Sequence, residues 1–163
     1  MKEHAREILR QCLQREKEGL DLYREAAARA ARPRTRKAFE ILIREEEDHV
    51  RRLLAQYAGE ELGSAEAFIH QPSHLEAPLL RELAAALDPE LPDRKALEIA
   101  MRLERENGED YRRHAAAATD AEAREVYRSL ALEEDRHYQI VESEYAHLMA
   151  MVHETDIDIY VRE

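Results

Sequence analysis

The stretch REEEDHVRRL, residues 44–53, places a carboxylate and an imidazole where an amphipathic helix carries its core residues. Glu46 and His49 are three residues apart, which puts both side chains on one face of a helix with their Cβ atoms about 5–6 Å apart. Leu42 and Leu53 continue the same face at helical spacing. We therefore expect Glu46 and His49 to be buried in the core of a helical bundle.

The chain repeats this stretch 88 residues later. The same pair recurs as Glu134 and His137. A further Glu stands 30 residues before the Glu of each pair, at Glu16 in the first half and at Glu104 in the second. Twelve positions between residues 16 and 49 carry the residue found 88 positions later. This repetition predicts two helix pairs related by a pseudo-twofold axis. The shared residues are largely polar, whereas a repeat kept only for packing would share mainly apolar positions.

Apolar residues that recur every three or four positions predict four long helices. They run from near the start to about residue 32, from Pro33 to about residue 58, from about residue 93 to about 118, and from residue 119 or 120 to about 149. The short connections make the helices of each pair antiparallel neighbours. We predict one all-α domain over residues 1–163, with helix pairs at 1–58 and 93–149, a crossover at 59–92 and a tail at 150–163.

Local sequence refines these boundaries. Asp93 is expected to cap the third helix. Thr119, with Glu122 three residues on, is typical of a capping box, and Asp120 is the alternative start of the fourth helix. The crossover, at roughly 30 residues, is long enough to span a bundle about 40 Å tall. Its apolar patch at 75–87 predicts a short helix, and the alternating pattern of the tail predicts an extended strand or arm.

The charge balance limits the partners. The chain has 36 acidic and 25 basic residues, a net charge of −11, which disfavours nucleic acid and an anionic membrane because both require a basic face. No apolar run approaches the ~20 residues of a membrane span. A single cysteine, Cys12, excludes an intrachain disulfide and a four-cysteine metal site, and we expect it to be a small buried residue. These features favour a cytoplasmic protein.

Four carboxylates and two imidazoles on the inward faces of one bundle predict a metal site. Four unpaired carboxylates would cost many kcal/mol in an apolar core and would repel one another. Two divalent cations supply four positive charges, which cancel that repulsion. Carboxylate oxygens with one imidazole per metal suit iron or manganese better than zinc. The alternative, solvated Glu residues in a Glu-rich chain, accounts poorly for two copies of the pattern in the same register.

A Glu followed by E-x-x-H, twice over on four helices, resembles the ferritin-like di-iron carboxylate superfamily. Within it, EKEGLDLYREAA at 16–27 and REEEDHVRRL at 44–53 look most like the rubrerythrin group. The resemblance implies a ferritin-like four-helix bundle with a long crossover between helices two and three, and a centre of two iron ions. It also implies the ligands: Glu46 and Glu134 as bridging carboxylates, Glu16 and Glu104 as terminal ones, and His49 and His137 with one iron each.

The resemblance further implies an oxidoreductase that reduces hydrogen peroxide, or more slowly O₂, and a homodimer. A single cysteine excludes the Cys-rich rubredoxin-like domain that rubrerythrins usually append, so we expect a separate electron donor such as a rubredoxin-like protein. Rubrerythrins proper carry a further Glu one turn after the third-helix ligand, which takes part in redox-linked metal movement, and Asn107 stands there in this chain. The sequence leaves manganese or a mixed pair of metals open.

Two alternative functions remain open from the sequence. The same residues suit a ferroxidase or iron-binding protein that serves iron storage or detoxification, which would need an assembly with a cavity. A degenerate bundle used only for interaction is the other alternative, and the six intact ligand positions count against it.

Further candidates lie near the predicted centre. Tyr23 and Tyr111, the candidate catalytic residues, each follow the upstream Glu of their helix by two turns, about 10.5 Å along the axis, and we expect each hydroxyl to donate to a bridging carboxylate of a facing helix. The alternative is a pair of core aromatic residues with hydroxyls satisfied elsewhere. Gly108 is expected to leave room near the metals. Glu45 and Glu133 point about 100° away from the inward face, so we expect them at the surface or behind the ligands.

Overall fold

The computed structural model describes residues 3–57, 61–72, 78–85 and 92–149. Within these residues the chain forms six helices and no strand, which confirms the predicted all-α class. The helices are α1 (Glu3–Arg29), α2 (Pro33–Gln56), α3 (Ala65–Ile69), α4 (Pro78–Ala85), α5 (Pro92–Ala117) and α6 (Ala121–Leu148). The predicted tail at 150–163 lies outside the described residues, and the assignment of residues 1–163 to a single domain stays a prediction.

The four long helices form the bundle. Helix α1 packs mainly on α2, and α5 packs mainly on α6, while α2 also contacts α6 and α1 contacts α5. The short helix predicted at 75–87 is present as α4, which lies against α1 and α5 and buries Leu80 and Leu83. Helix α3 packs on α2 and buries Phe68 and Ile69. None of the described helices is both long enough and apolar enough to cross a membrane.

The corner between α1 and α2 is held by a side chain from α5. Pro33 begins α2, where its missing N–H is of no consequence. Asp93 lies in the first turn of α5, and its carboxylate accepts hydrogen bonds from the backbone N–H groups of Ala31, at 2.8 Å, and Arg32, at 3.1 Å. The prediction that Asp93 caps its own helix is therefore wrong. The buried carboxylate instead satisfies two N–H groups in the turn between α1 and α2.

The start of α6 follows one of the two predicted alternatives. Asp120 is the N-cap, and its side chain accepts a hydrogen bond of 2.9 Å from the backbone N–H of Ala123. The capping box built on Thr119 is wrong, because Glu122 is only the second residue of the helix and cannot act as the third-position partner that such a box requires.

Two apolar clusters lie at different heights of the bundle and bracket a polar layer. One contains Leu13, Leu20, Leu53 and Leu130, and the other contains Leu22, Phe39, Leu42, Leu97 and Val141. Along α2, the polar residues Glu46 and His49 fall between Leu42 of one cluster and Leu53 of the other. The polar layer is thereby closed off from solvent above and below.

Candidate metal centre

The six predicted ligands converge in this polar layer. Each is no more than 2 % exposed, although each carries an ionisable group. Helices α1 and α5 contribute one carboxylate each, while α2 and α6 contribute a Glu and a His each. The six residues are Glu16, Glu46, His49, Glu104, Glu134 and His137.

His49 turns its Nδ1 atom toward three carboxylates. The Nδ1 atom lies 3.3 Å from Glu16 Oε2, 3.3 Å from Glu46 Oε2 and 3.2 Å from Glu134 Oε1. One of these carboxylates comes from each of α1, α2 and α6. Three helices therefore present their oxygens to one imidazole nitrogen.

His137 occupies the related position in the second half of the chain. Its Nδ1 atom lies 3.2 Å from Glu46 Oε1 and 3.5 Å from Glu104 Oε2. The two oxygens of Glu46 thus face different histidines, with Oε2 toward His49 and Oε1 toward His137. The two imidazole rings stack with their centroids 5.1 Å apart. This arrangement gives two adjacent positions, one at each histidine, with Glu46 between them.

The donor atoms are close enough together to bind metal. Ligand atoms from Glu46, His49, Glu134 and His137 all lie within 4.8 Å of one another. Among the described residues, several buried atoms at the centre make no hydrogen bond, namely Glu46 Oε2, Glu104 Oε2, both oxygens of Glu134, and His137 Nδ1. Leaving such groups unpaired costs about 1–3 kcal/mol each, and more when they are charged. Oxygen and nitrogen donors left unpaired in a closed layer fit divalent cations such as iron or manganese.

Protons balance part of the charge when metal is absent. Burial and the neighbouring carboxylate of Glu46 raise the pKa of Glu16 to about 8. Burial and the carboxylate of Glu104 raise the pKa of Glu134 well above its usual range. Burial by itself would lower the pKa of His137, but the nearby carboxylates of Glu104 and Glu46 raise it to about 12. The free site therefore holds protons that a metal ion must displace.

We expect metal affinity to fall as the pH is lowered from 8 to 6. Because the pKa values of Glu16 and His137 are raised, these ligands carry protons between pH 8 and pH 6. Protons then compete with metal for the same atoms. Apparent affinity should drop about tenfold per pH unit for each displaced proton. Titration with Mn(II) in weak buffer, with a pH indicator, measures affinity and proton release together. An affinity that does not change over this range would contradict the expectation.

The two tyrosines form hydrogen bonds across the bundle, between α1 and α5. The Tyr23 hydroxyl donates to Glu104, and the Tyr111 hydroxyl donates to Glu16. Both tyrosines are buried, and burial together with the neighbouring carboxylate raises each pKa well above the usual range, so each hydroxyl keeps its proton. The prediction that they donate to Glu46 or Glu134 is wrong, because α1 faces α5 at this height and brings each tyrosine to the upstream Glu of the other helix.

Two outer carboxylates hold the far side of the imidazoles. The Nε2–H group of His137 donates to Glu45 Oε2 at 2.8 Å, and that of His49 donates to Glu133 Oε2 at 3.2 Å. Both residues therefore lie behind the ligands, and Glu45 is at the same time exposed at the surface, so both predicted locations apply to it. Their hydrogen bonds keep a proton on Nε2, so that Nδ1 is the nitrogen that can give up its proton and offer a lone pair to a metal in the cluster. The sequence signal was present, since Glu45 and Glu133 are among the residues that the 88-residue repeat shares.

Other residues near the centre pack closely. A Cβ atom on Gly108 would lie 3.4 Å from the Cβ atom of Glu134 and 3.3 Å from Nη1 of Arg112. Gly108 therefore lets α5 approach α6 and does not leave the open space that we predicted. Asn107 is buried, and its Oδ1 atom has no hydrogen-bond partner among the described residues. Cys12 is buried as predicted, and burial with the nearby Glu16 raises its pKa to about 12.

A comparison with protein families gives a match. A family model described as Rubrerythrin matches residues 7–145, which include all six predicted ligands and both tyrosines. No curated protein and no solved structure matches the chain.

Proposed function

This chain belongs to the rubrerythrin family, and from that premise we propose that it is a di-iron oxidoreductase that reduces hydrogen peroxide. Rubrerythrin proteins bind iron, and the buried cluster of Glu and His side chains offers the donor atoms for it. We assign Glu16 and His49 to one iron ion, Glu104 and His137 to the other, and Glu46 and Glu134 to both.

One observation supports this assignment above all others. The two oxygens of Glu46 face the Nδ1 atoms of different histidines, at 3.3 Å and 3.2 Å. A carboxylate between two nitrogen donors is the geometry expected of a ligand shared by two metal ions. The upstream carboxylates extend the pattern, because Glu16 lies by His49 and Glu104 lies by His137.

Two ferrous ions, when bound, supply the two electrons that reduce hydrogen peroxide to two molecules of water, with the uptake of two protons. The chain supplies the environment for this reaction. Tyr23 and Tyr111 hold the upstream carboxylates in place through their hydroxyl groups. The apolar clusters above and below exclude bulk water, which strengthens the electrostatic interactions inside the layer.

The electrons that restore the ferrous state must come from elsewhere. Residues 1–163 contain one cysteine, too few for a four-thiolate redox centre in this stretch. We therefore propose an external donor, such as a rubredoxin-like protein, and a homodimer in the cytoplasm as the working form. Ferroxidase activity in the service of iron storage is the alternative that the same ligands suit.

Stopped-flow oxidation tests the proposal against this alternative. We expect the anaerobically loaded protein to hold two Fe(II) ions per chain and to be oxidised by hydrogen peroxide at least about tenfold faster than by O₂, roughly 1.4 kcal/mol in barrier height. Equal rates with the two oxidants, together with iron uptake that continues beyond two per chain, would instead establish a ferroxidase. The Glu40→Ala variant is a suitable control, because Glu40 is an exposed carboxylate on the same helix as Glu46.

A further inference from the structure

The two outer carboxylates are related by the internal repeat, yet their surroundings differ. Glu45 and Glu133 stand 88 residues apart, and each accepts a hydrogen bond from the Nε2 atom of a histidine, Glu45 from His137 and Glu133 from His49. The side chain of Glu133 is 22 % exposed, whereas that of Glu45 is 47 % exposed. The difference in exposure follows from the residues around each carboxylate.

Glu133 is fixed by two further partners. Arg52 binds it with both terminal nitrogens, Nη1 donating to Oε1 at 2.9 Å and Nη2 donating to Oε2. The hydroxyl of Ser129, one turn earlier on α6, donates to Oε1 at 2.8 Å. A two-pronged Arg–carboxylate pair restrains the carboxylate in direction as well as position. Glu133 therefore presents a fixed oxygen to His49.

Glu45 lacks this support. The positions that correspond to Arg52 and Ser129 in the repeat are Ile140 and Ile41, which have no group to donate. Among the described residues, His137 is the only hydrogen-bond or ion-pair partner of Glu45. Both isoleucines line an open groove of about 490 Å³ between α2 and α6. In this half of the repeat, apolar side chains and an open groove thus take the place of Arg52 and Ser129, the pair that we call the Arg–Ser clamp.

We propose that the two metal positions differ in lability, with the metal at His137 exchanging faster than the metal at His49. This inference rests on the proposed two-metal centre. Glu133, clamped by Arg52 and Ser129, is a positioning residue that holds the His49 ring in its binding orientation. Glu45 alone steadies the His137 ring and is free to turn toward solvent, so this ring leaves its metal more readily. Outer partners of this kind are typically worth about 10–100-fold in metal affinity.

Competition with a coloured Fe(II) chelator under anaerobic conditions tests this inference. We expect the loaded wild-type protein to release two irons per chain in two phases of equal amplitude, with rates at least about tenfold apart. Glu45→Gln should accelerate the fast phase only, and Glu133→Gln should accelerate the slow phase only. Fewer than two irons per chain would overturn both the centre and this inference. Two irons released in a single phase would overturn the inference alone.

Exchange of the clamp between the two halves provides the matched test. Arg52→Gln with Ser129→Ala should raise the slow rate toward the fast one. Ile41→Ser with Ile140→Arg places the donors beside Glu45 and should slow the fast phase by about tenfold. A residue that only supports the fold would not produce this slowing. The thermal midpoint of each metal-free variant checks folding, and an unchanged fast phase in a folded Ile41→Ser/Ile140→Arg variant would count against the inference.

Discussion

The Glu46→Ala variant is expected to lose both metal ions. In the wild type, the two carboxylate oxygens of Glu46 face the two histidines, so this one substitution removes a donor from each metal position. Loss of an outer partner alone costs about 10–100-fold in affinity, and loss of a donor shared by two metals should exceed about 100-fold. Metal counted per chain after anaerobic loading with Fe(II) and desalting measures this directly.

Controls separate this effect from a general defect. Glu134→Ala should behave like Glu46→Ala, since Glu134 is equally buried and both of its oxygens lack hydrogen-bond partners among the described residues. Glu40→Ala and Glu125→Ala remove exposed carboxylates from α2 and α6 and should retain two metals per chain. Two metals in both of the buried variants would refute the assigned centre.

Metal binding is expected to raise the thermal stability of the chain substantially. Each metal that binds only the folded state adds about 2.7 kcal/mol at a free concentration 100-fold above its dissociation constant. For a protein of this size, each kcal/mol shifts the unfolding midpoint by about 2–4 °C, so two bound metals should raise it by roughly 10–20 °C. The physical cause is that bound cations neutralise the carboxylates of the closed layer, which otherwise repel one another. Thermal unfolding with and without Mn(II) measures the shift.

The Glu134→Gln variant makes this test specific. Burial and the carboxylate of Glu104 raise the pKa of Glu134 well above its usual range, which favours its neutral form in the metal-free chain. An amide of the same shape mimics that neutral form. The metal-free variant should therefore unfold within a few degrees of the metal-free wild type, while its shift with Mn(II) should largely disappear. An equal shift in the variant and the wild type would show that Mn(II) stabilises the chain elsewhere.

The burial of the six predicted ligands in one layer was largely predictable because helical periodicity is a local property. Residues three or four apart share a face whatever the helix packs against, so the inward direction of Glu46 and His49 follows from their spacing. The 88-residue repeat extended that reasoning to Glu134 and His137. The structure brings all six predicted ligands into one buried layer. The matching family model adds the iron chemistry that spacing cannot supply.

Contacts between helices were predicted less well. The hydroxyls of Tyr23 and Tyr111 bind the upstream carboxylates of the facing helices, although each residue's inward face was predictable. Asp93 binds the turn between α1 and α2, although its position near the start of α5 was predictable. Both outcomes depend on which helix lies opposite and at what height.

The sequence by itself determined the helical class, the repeat, and the polar residues that face the core, because each follows from spacing along one helix. Only the tertiary structure decided that Glu46 lies between the two histidines and that Glu45 and Glu133 bind the Nε2 atoms of those histidines. It also decided that Glu133 has further hydrogen-bond partners where Glu45 has none among the described residues. The reason is geometric. The offset and rotation of one helix against another set these distances, and they arise from the packing of all four helices together.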